Sequence, residues 1–437
     1  MTAEIAIMNR NAVALAADSA GTLLLPTGPK ITSTYSKLFM LSRYAPVGIM
    51  VYGLSELMGI PWDTIIKTYS RDLETRAFEH LEDYASDFLH FLEREELLFP
   101  RDLQSSYADL CLENGFERLR ASIGTEIDRV ISSSGSIDDL HVENLVREQS
   151  LQFLSEVEQK EYLFGFGPDD VNRFARESET AIEQVLQRVF QRLPIAACSK
   201  QLLRAGALML CNKYLNLNFS GIVIAGFGEQ DFFPVLLHFE CDGVIHKKLR
   251  YIKKDEVRIG PELTGAITGS IRPFAQNEMV DRFMEGIDGI YRKFVEDKVW
   301  ALLSEEYPKQ IATALSGKIS RDHQNGLSAQ LGTFARELMT GFAETLDQFQ
   351  QEKFIRGILD SVATLPTADL AAMAEALVNL TAFKLKVTVD EAETVSSPID
   401  VAVISKGEGF VWIKKKQYFD ASLNPDVLRN YCRKEER

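Results

Sequence analysis

The chain has 437 residues, with 48 basic against 63 acidic side chains and a formal charge of −15. Hydrophobic residues at 46% and charged residues at 25% fit ordinary globular composition and exclude wholesale disorder and collagen-like repeats. The acidity argues against general nucleic-acid binding, because neutralising phosphates needs a basic surface. No apolar run approaches the ~20 residues needed to cross a bilayer. Residues 1–17 contain Glu4, Asn9, Arg10 and Asn11 rather than the apolar core of a signal peptide, so a cytoplasmic location is expected.

The first 53 residues are dense in short strand signals. Ile5-Ala6-Ile7-Met8 and Ala12 to Ala17 pair as a hairpin across Asn9-Arg10-Asn11, and Lys37 to Leu41 and Val47 to Tyr52 follow. From Leu54 to about Leu215 the character turns helical. There Ser178 can cap a helix whose Ile182, Val185, Leu186, Val189 and Phe190 share one face, with Pro194 beyond its end. Strands return at Gly221 to Ala225, Pro234 to Phe239, Gly243 to Ile252 and Gly265 to Thr268. The second helical block carries a stripe of Phe334, Leu338, Met339, Phe342, Leu346 and Phe349, expected to pack in a core. A helix from about Thr367 to Phe383 then leads to a closing hairpin, Ile399 to Ile404 and Gly409 to Ile413, turned by Lys406-Gly407-Glu408.

Strands, helices, strands, helices, strands is not the regular alternation of a doubly wound sheet. It suits a layered α+β sandwich with antiparallel sheets assembled from distant parts of the chain. No repeat or linker separates the halves, so a single extended domain is expected. Two basic clusters, His246 to Lys254 and Lys414-Lys415-Lys416, read as solvated sheet edges. The five cysteines show no C-x-x-C pair and the six histidines no metal-binding spacing, so neither a disulfide framework nor a metal site is expected. No phosphate-binding glycine loop is present, and any energy-dependent unfolding of a substrate would need a separate ATPase.

Thr2 follows Met1 directly. Removal of Met1 would leave a hydroxyl and a free α-amine on one residue, a compact nucleophile and base, since the amine's reference pKa of about 7.7 to 8.0 leaves it partly neutral near physiological pH. A Lys ammonium beside such a nucleophile favours its alkoxide.

The segment from Thr2 through Leu15-Ala16-Ala17-Asp18-Ser19-Ala20-Gly21-Thr22 and Ser36-Lys37-Leu38-Phe39-Met40-Leu41 to Gly53 resembles the start of a proteasome β-type subunit of the N-terminal nucleophile (Ntn) hydrolase superfamily. Three later phrases follow in the family's order: Gly221 to Phe227 with Phe239 to Gly243, Gly265 to Ser270, and Glu393 to Asp400. The resemblance implies a four-layer αββα sandwich with a core of about 1–53, 216–275 and 365–415 and helical insertions of about 54–215 and 276–364. It implies Thr2 as nucleophile, Lys37 beside it, Asp18 holding Lys37, Ser270 orienting the α-amine and a Gly53 N–H donating to the oxyanion. Glu393 and Ser396 take the family's acidic and serine places, although Ser397 and Pro398 stand where the family has glycines. Ala20, Thr22 and Val51 fall at substrate-binding places, with Ala20 and Val51 implying an apolar first pocket. No cofactor or metal is implied, and the expected partners are a peptide or protein substrate, further copies of the chain, and an ATPase or other protein bound through the insertions. Three functional classes stay open: a threonine peptidase, a small-molecule amidase, and an inactive structural or partner-binding subunit.

Overall fold

The computed structural model describes residues 3–25, 28–32, 35–212, 219–315, 321–388 and 398–416. In chain order come strands β1 (Ala3–Asn9), β2 (Ala12–Ala17), β3 (Gly21–Leu25), β4 (Gly28–Thr32), β5 (Leu38–Met40), β6 (Val47–Gly53), β7 (Glu56–Leu57) and β8 (Ile60–Pro61). Helices α1 (Trp62–Leu73), α2 (Leu81–Arg94), α3 (Arg101–Ser134), α4 (Asp139–Glu158), α5 (Pro168–Glu177), α6 (Glu179–Phe190) and α7 (Ser199–Cys211) follow. Then come β9 (Ser220–Gly226), β10 (Val235–Ile245), β11 (Lys248–Arg258) and β12 (Gly269–Ala275). The second helical block is α8 (Glu278–Glu285), α9 (Gly289–Ala301), α10 (Tyr307–Ala314), α11 (Arg321–Gln350), α12 (Arg356–Thr364) and α13 (Thr367–Val387), and β13 (Asp400–Ser405) and β14 (Gly409–Lys414) close the described chain. The fold is mixed α and β, and no described helix is long and apolar enough to cross a membrane.

The chain divides into two compact units. The first comprises Met1–Tyr35, Ile259–Val403 and Val411–Arg437 and contains the sheet ordered β12-β1-β2-β13-β14. β1 runs antiparallel to β2, with Glu4 opposite Ala17, and to β12, with Ala3 opposite Ala275 and Asn9 opposite Gly269. One face of this sheet, Ala3, Ile5, Ile7, Ala12, Ala14, Ala16, Val401 and Val403, packs on Leu370, Ala374, Leu377 and Val378 of α13. The alanines leave room for a close helix, and α13 starts cleanly because Pro366 sets the residue before its first turn. At the first hairpin Asn9 is fully buried. Its Oδ1 accepts from Asn11 and its Nδ2 donates at 2.9 Å to both the Val362 and Leu365 carbonyls, so one turn residue serves the end of α12 as well.

The second unit comprises Ser36–Arg258 and Ile404–Phe410, with the sheet ordered β11-β10-β9-β6-β5. Val47, Ile49 and Val51 of β6 join Ile222, Ile224, Leu237 and Phe239 against Trp62, Ile66 and Tyr69 of α1 and Phe88 and Phe91 of α2. Helices α3 to α7 bury a second cluster around Leu112, Phe116, Phe174 and Ile182. The expected stripe on α6 is entirely buried there. Ser178 sits at its N-cap, but its hydroxyl pairs with His246 Nε2 at 3.2 Å and makes no capping bond.

Three expectations are corrected. The run Gly243 to Ile252 is two strands, with His246 and Lys247 forming a two-residue turn at φ of 49° and 61°. Such turns favour Gly or Asn, so His-Lys gives no local signal. Tertiary contacts hold it: the His246 ring stacks on Phe174 at 4.4 Å, and the Lys247 N–H donates to Gln104 Oε1 at 2.8 Å. The strand placed at Gly265 to Thr268 lies instead at Gly269–Ala275, with Ser270 inside it. The α11 stripe is not core, since Phe334 and Leu338 are 61% and 58% exposed.

β11 is a sheet edge, as its lysines implied, yet Arg250 within it is fully buried. Its guanidinium contacts Asp242 at 3.0 and 3.2 Å and donates to the Met209 and Leu210 carbonyls at 2.8 and 2.6 Å. Carbonyls in the last turn of α7 lack helical partners, and Arg250 supplies donors to two of them. Asp242→Ala leaves that cation uncompensated and should lower unfolding free energy by about 3–5 kcal/mol in a urea titration.

On the same sheet, the Tyr52 hydroxyl lies 2.7 Å from His238 Nε2 and 3.3 Å from Glu240. Burial pulls the His238 pKa down from 6.5 to about 4. The folded state therefore holds this ring neutral while the unfolded chain binds a proton, so its contribution is intact above pH 6.5 and lost as pH falls toward 4. Chemical denaturation between pH 7 and 4 should show a loss of up to about 3 kcal/mol from this site. His238→Gln should flatten that part of the pH profile.

Candidate active site

Three expected site residues, Thr2, Glu393 and Ser396, lie outside the described residues. The others are placed by backbone hydrogen bonding in each unit separately.

In the first unit, β2 ends at Ala17 and delivers Asp18 beside the start of β1. Asp18 is fully buried. Its Oδ1 accepts from the N–H of Ala3 at 3.1 Å, its Oδ2 accepts from the N–H of Ala20 at 2.9 Å, and its own N–H donates to the Ala3 carbonyl at 3.1 Å. A carboxylate is thus bound to the peptide unit that immediately follows Thr2. Glu4, one residue further along, is a second carboxylate buried in β1. Ala20 is itself buried and engages Asp18 through its N–H, and Thr22 lies in β3 opposite Ile31.

Ser270 is not brought to this end of β1. It stands opposite Met8, and five residues separate Met8 from Ala3, which at about 3.4 Å per residue is roughly 17 Å along the strand.

A cluster not foreseen from sequence adjoins Asp18. The Lys416 ammonium donates to Ser19 Oγ at 2.8 Å and to the Tyr35 carbonyl, and pairs with Asp400 at 3.0 Å. The Lys416 N–H also reaches Asp400 Oδ1 at 2.8 Å, and Ser19 donates to the Pro398 carbonyl. Ser19 and Asp400 are buried and the Lys416 side chain is largely so. This overturns the reading of Lys416 as a solvated edge lysine. Asp400 begins β13 and Lys416 lies 16 residues on, two past the end of β14, a separation that carries no local signature.

In the second unit Lys37 immediately precedes β5, and its carbonyl accepts from the Val51 N–H at 2.9 Å. Only 6% of Lys37 is exposed. Lysines are rarely so buried unless their ammonium is engaged, which separates Lys37 from an ordinary strand lysine. Val51 belongs to the hydrophobic core against α1 and α2. Gly53 ends β6 at φ 82°, where a Cβ would stand 2.4 Å from the Phe219 carbonyl oxygen. Both the left-handed backbone and the close approach demand glycine.

No family model matches the sequence, and no curated relative matches it. Superposition on solved structures finds the ancestral beta-subunit Anbu from Yersinia bercovieri, 8% identical over 98% of this chain and 94% of that one, at a TM-score of 0.26. The helical assembly of the Anbu complex from Pseudomonas aeruginosa is 8% identical over the same shares at 0.28, and a mutant Anbu from a Hyphomicrobium species is 10% identical over 100% and 99% at 0.26. Scores this low carry no argument about shared fold or activity.

Asp18→Asn keeps the volume but replaces one acceptor oxygen with a donor facing an N–H. The substitution should cost about 1–3 kcal/mol of stability, read as a lowered urea midpoint with an unchanged denaturant slope.

Proposed function

We propose that the chain is an amide-bond hydrolase, most simply a peptidase, whose nucleophile is Thr2 after loss of Met1. One observation carries the reading: the buried Asp18 carboxylate holds the N–H of Ala3, fixing the residue next to Thr2 against an acidic group that the sequence pattern had independently associated with it. The buried state of Lys37 and the backbone requirement at Gly53 support it.

In the proposed reaction the Thr2 α-amine takes the proton from its own hydroxyl, and Oγ adds to the substrate carbonyl carbon. The Lys37 ammonium lowers the energy of the developing alkoxide, and the Gly53 N–H donates to the tetrahedral oxyanion. The protonated amine then returns its proton to the leaving nitrogen, the C–N bond breaks, and an ester to Thr2 remains. Water, deprotonated by the same amine, hydrolyses the ester and regenerates the hydroxyl. Asp18 positions the start of β1 and balances the Lys37 charge. Each unit gives one sheet and its covering helices, and the helical insertions are where a separate ATPase or other partner would dock.

The test is intact-mass spectrometry on protein made with its native N-terminus, followed by hydrolysis of fluorogenic peptide amides bearing apolar, acidic or basic side chains. The expected result is a chain beginning at Thr2 that turns over at least one amide, and a Thr2→Ala chain that folds but loses at least 1,000-fold in rate, the order expected when an essential nucleophile is removed. Retention of Met1 with no turnover would overturn the proposal in favour of a structural subunit.

A further inference from the structure

The turn between β10 and β11 is one wall of a cavity of about 350 Å³ within the second unit. The start of α3 contributes Arg101 and Ser105 to the lining, the end of α5 contributes Arg173 and Glu177, and the turn contributes His246 and Lys247. Ala108 and Ile245, both buried, add an apolar wall. The volume falls within the roughly 300–1,000 Å³ of small-molecule sites.

Its polar groups are mostly donors and mostly cationic. Arg101, Arg173 and Lys247 face the single negative charge of Glu177, and burial holds the His246 pKa below its usual 6.5, so that ring is neutral near pH 7. Arg173 gives one Nη to Asp170 at 2.6 Å, and Lys247 pairs with Glu96. Arg101 makes no hydrogen bond or ion pair with a described residue, and the buried Nε–H of Arg173 has no acceptor among them. What the cavity lacks is an acceptor. A buried donor left unpaired carries a desolvation penalty that a ligand oxygen removes.

The turn itself is strained. His246 and Lys247 both hold left-handed φ, at 49° and 61°, which is unfavourable for residues with a Cβ. An Asn-Gly or Gly-Gly turn would avoid that strain and bring neither side chain to the cavity. Strain of this kind concentrates at binding sites, where the side chains it presents are the gain.

We propose that this cavity binds a small organic oxyanion, a carboxylate or phosphate carried on a compact apolar body. The oxyanion sits on Arg101 and Arg173, whose planar guanidinium groups match either oxyanion, while the body lies against Ala108 and Ile245. Lys247 adds local positive charge. The chain's overall −15 repels anions from its surface at large, so affinity has to come from this local arrangement. The site uses none of the residues of the proposed hydrolysis and does not depend on it.

The experiment is isothermal titration calorimetry on the full chain in a low-salt buffer free of phosphate, with phenyl phosphate and benzoate as probes and phenol as the neutral control. At least one anion should bind once per chain with a Kd below about 1 mM, at least tenfold tighter than phenol, and the tighter of the two identifies the oxyanion. Arg101→Gln should weaken that binding about tenfold or more with an unchanged thermal midpoint. Arg173→Lys, which keeps a cation for Asp170 but removes the guanidinium, should do the same. If Arg173→Lys lowers the midpoint, Arg101→Gln, which breaks no contact, carries the test alone. Arg120→Gln, exposed on α3 and outside the cavity, should bind as the wild type does. Absence of binding by both anions at about 10 mM overturns the proposal. So does affinity that survives Arg101→Gln, or that Arg120→Gln weakens equally.

Discussion

A carboxylate with no access to water must fill its lone pairs from the protein, and Asp18 fills them with the N–H groups of Ala3 and Ala20. That requirement ties the start of β1 to the end of β2 and fixes where the chain's first residues lie. The sheet then follows from register, since Glu4 opposite Ala17 sets Met8 opposite Val13 and leaves Asn9 to turn the hairpin. Asn9 in turn anchors the end of α12, so one acidic side chain and one amide connect the edge of the candidate site to the helix layer that covers its sheet.

Buried charge recurs as a fastening device. Arg250 with Asp242, and Lys416 with Asp400, each place a cation where its donors are used on a carboxylate and on backbone carbonyls. Such pairs contribute little net stability compared with apolar packing, because desolvation offsets most of the attraction. Their effect is geometric. A guanidinium shared between a strand carboxylate and two helix-end carbonyls permits one relative placement of β11 and α7, and Lys416 permits one placement of the final hairpin against the Asp18-Ser19 loop.

Helices α9 to α11 follow a different rule. β-sheets in both units find helices to cover an apolar face, and the clusters around Trp62, around Phe116 and around Leu370 are closed within the chain. α9 to α11 pack chiefly on one another, joined to α8 where the Gln350 amide donates to the Glu285 carbonyl. Two helices can share a seam, but they cannot enclose a core.

Strands with uninterrupted apolar runs, the amphipathic face of α6 and both hairpins with polar turns were legible in the sequence, because periodicity and short motifs are local. Asp18 was recoverable since it lies one residue after a strand whose partner begins at Ala3. What the sequence did not determine depended on contacts between distant residues. The His246-Lys247 turn is held by Phe174 and Gln104, Arg250 and Lys416 are buried by partners far away in the chain, and Ser270 is carried away from Ala3 by strand register. The α11 stripe has the same periodicity whether it faces a core or another molecule. Apolar spacing determines that a face exists, and only the tertiary arrangement decides what, if anything, within the chain reaches it.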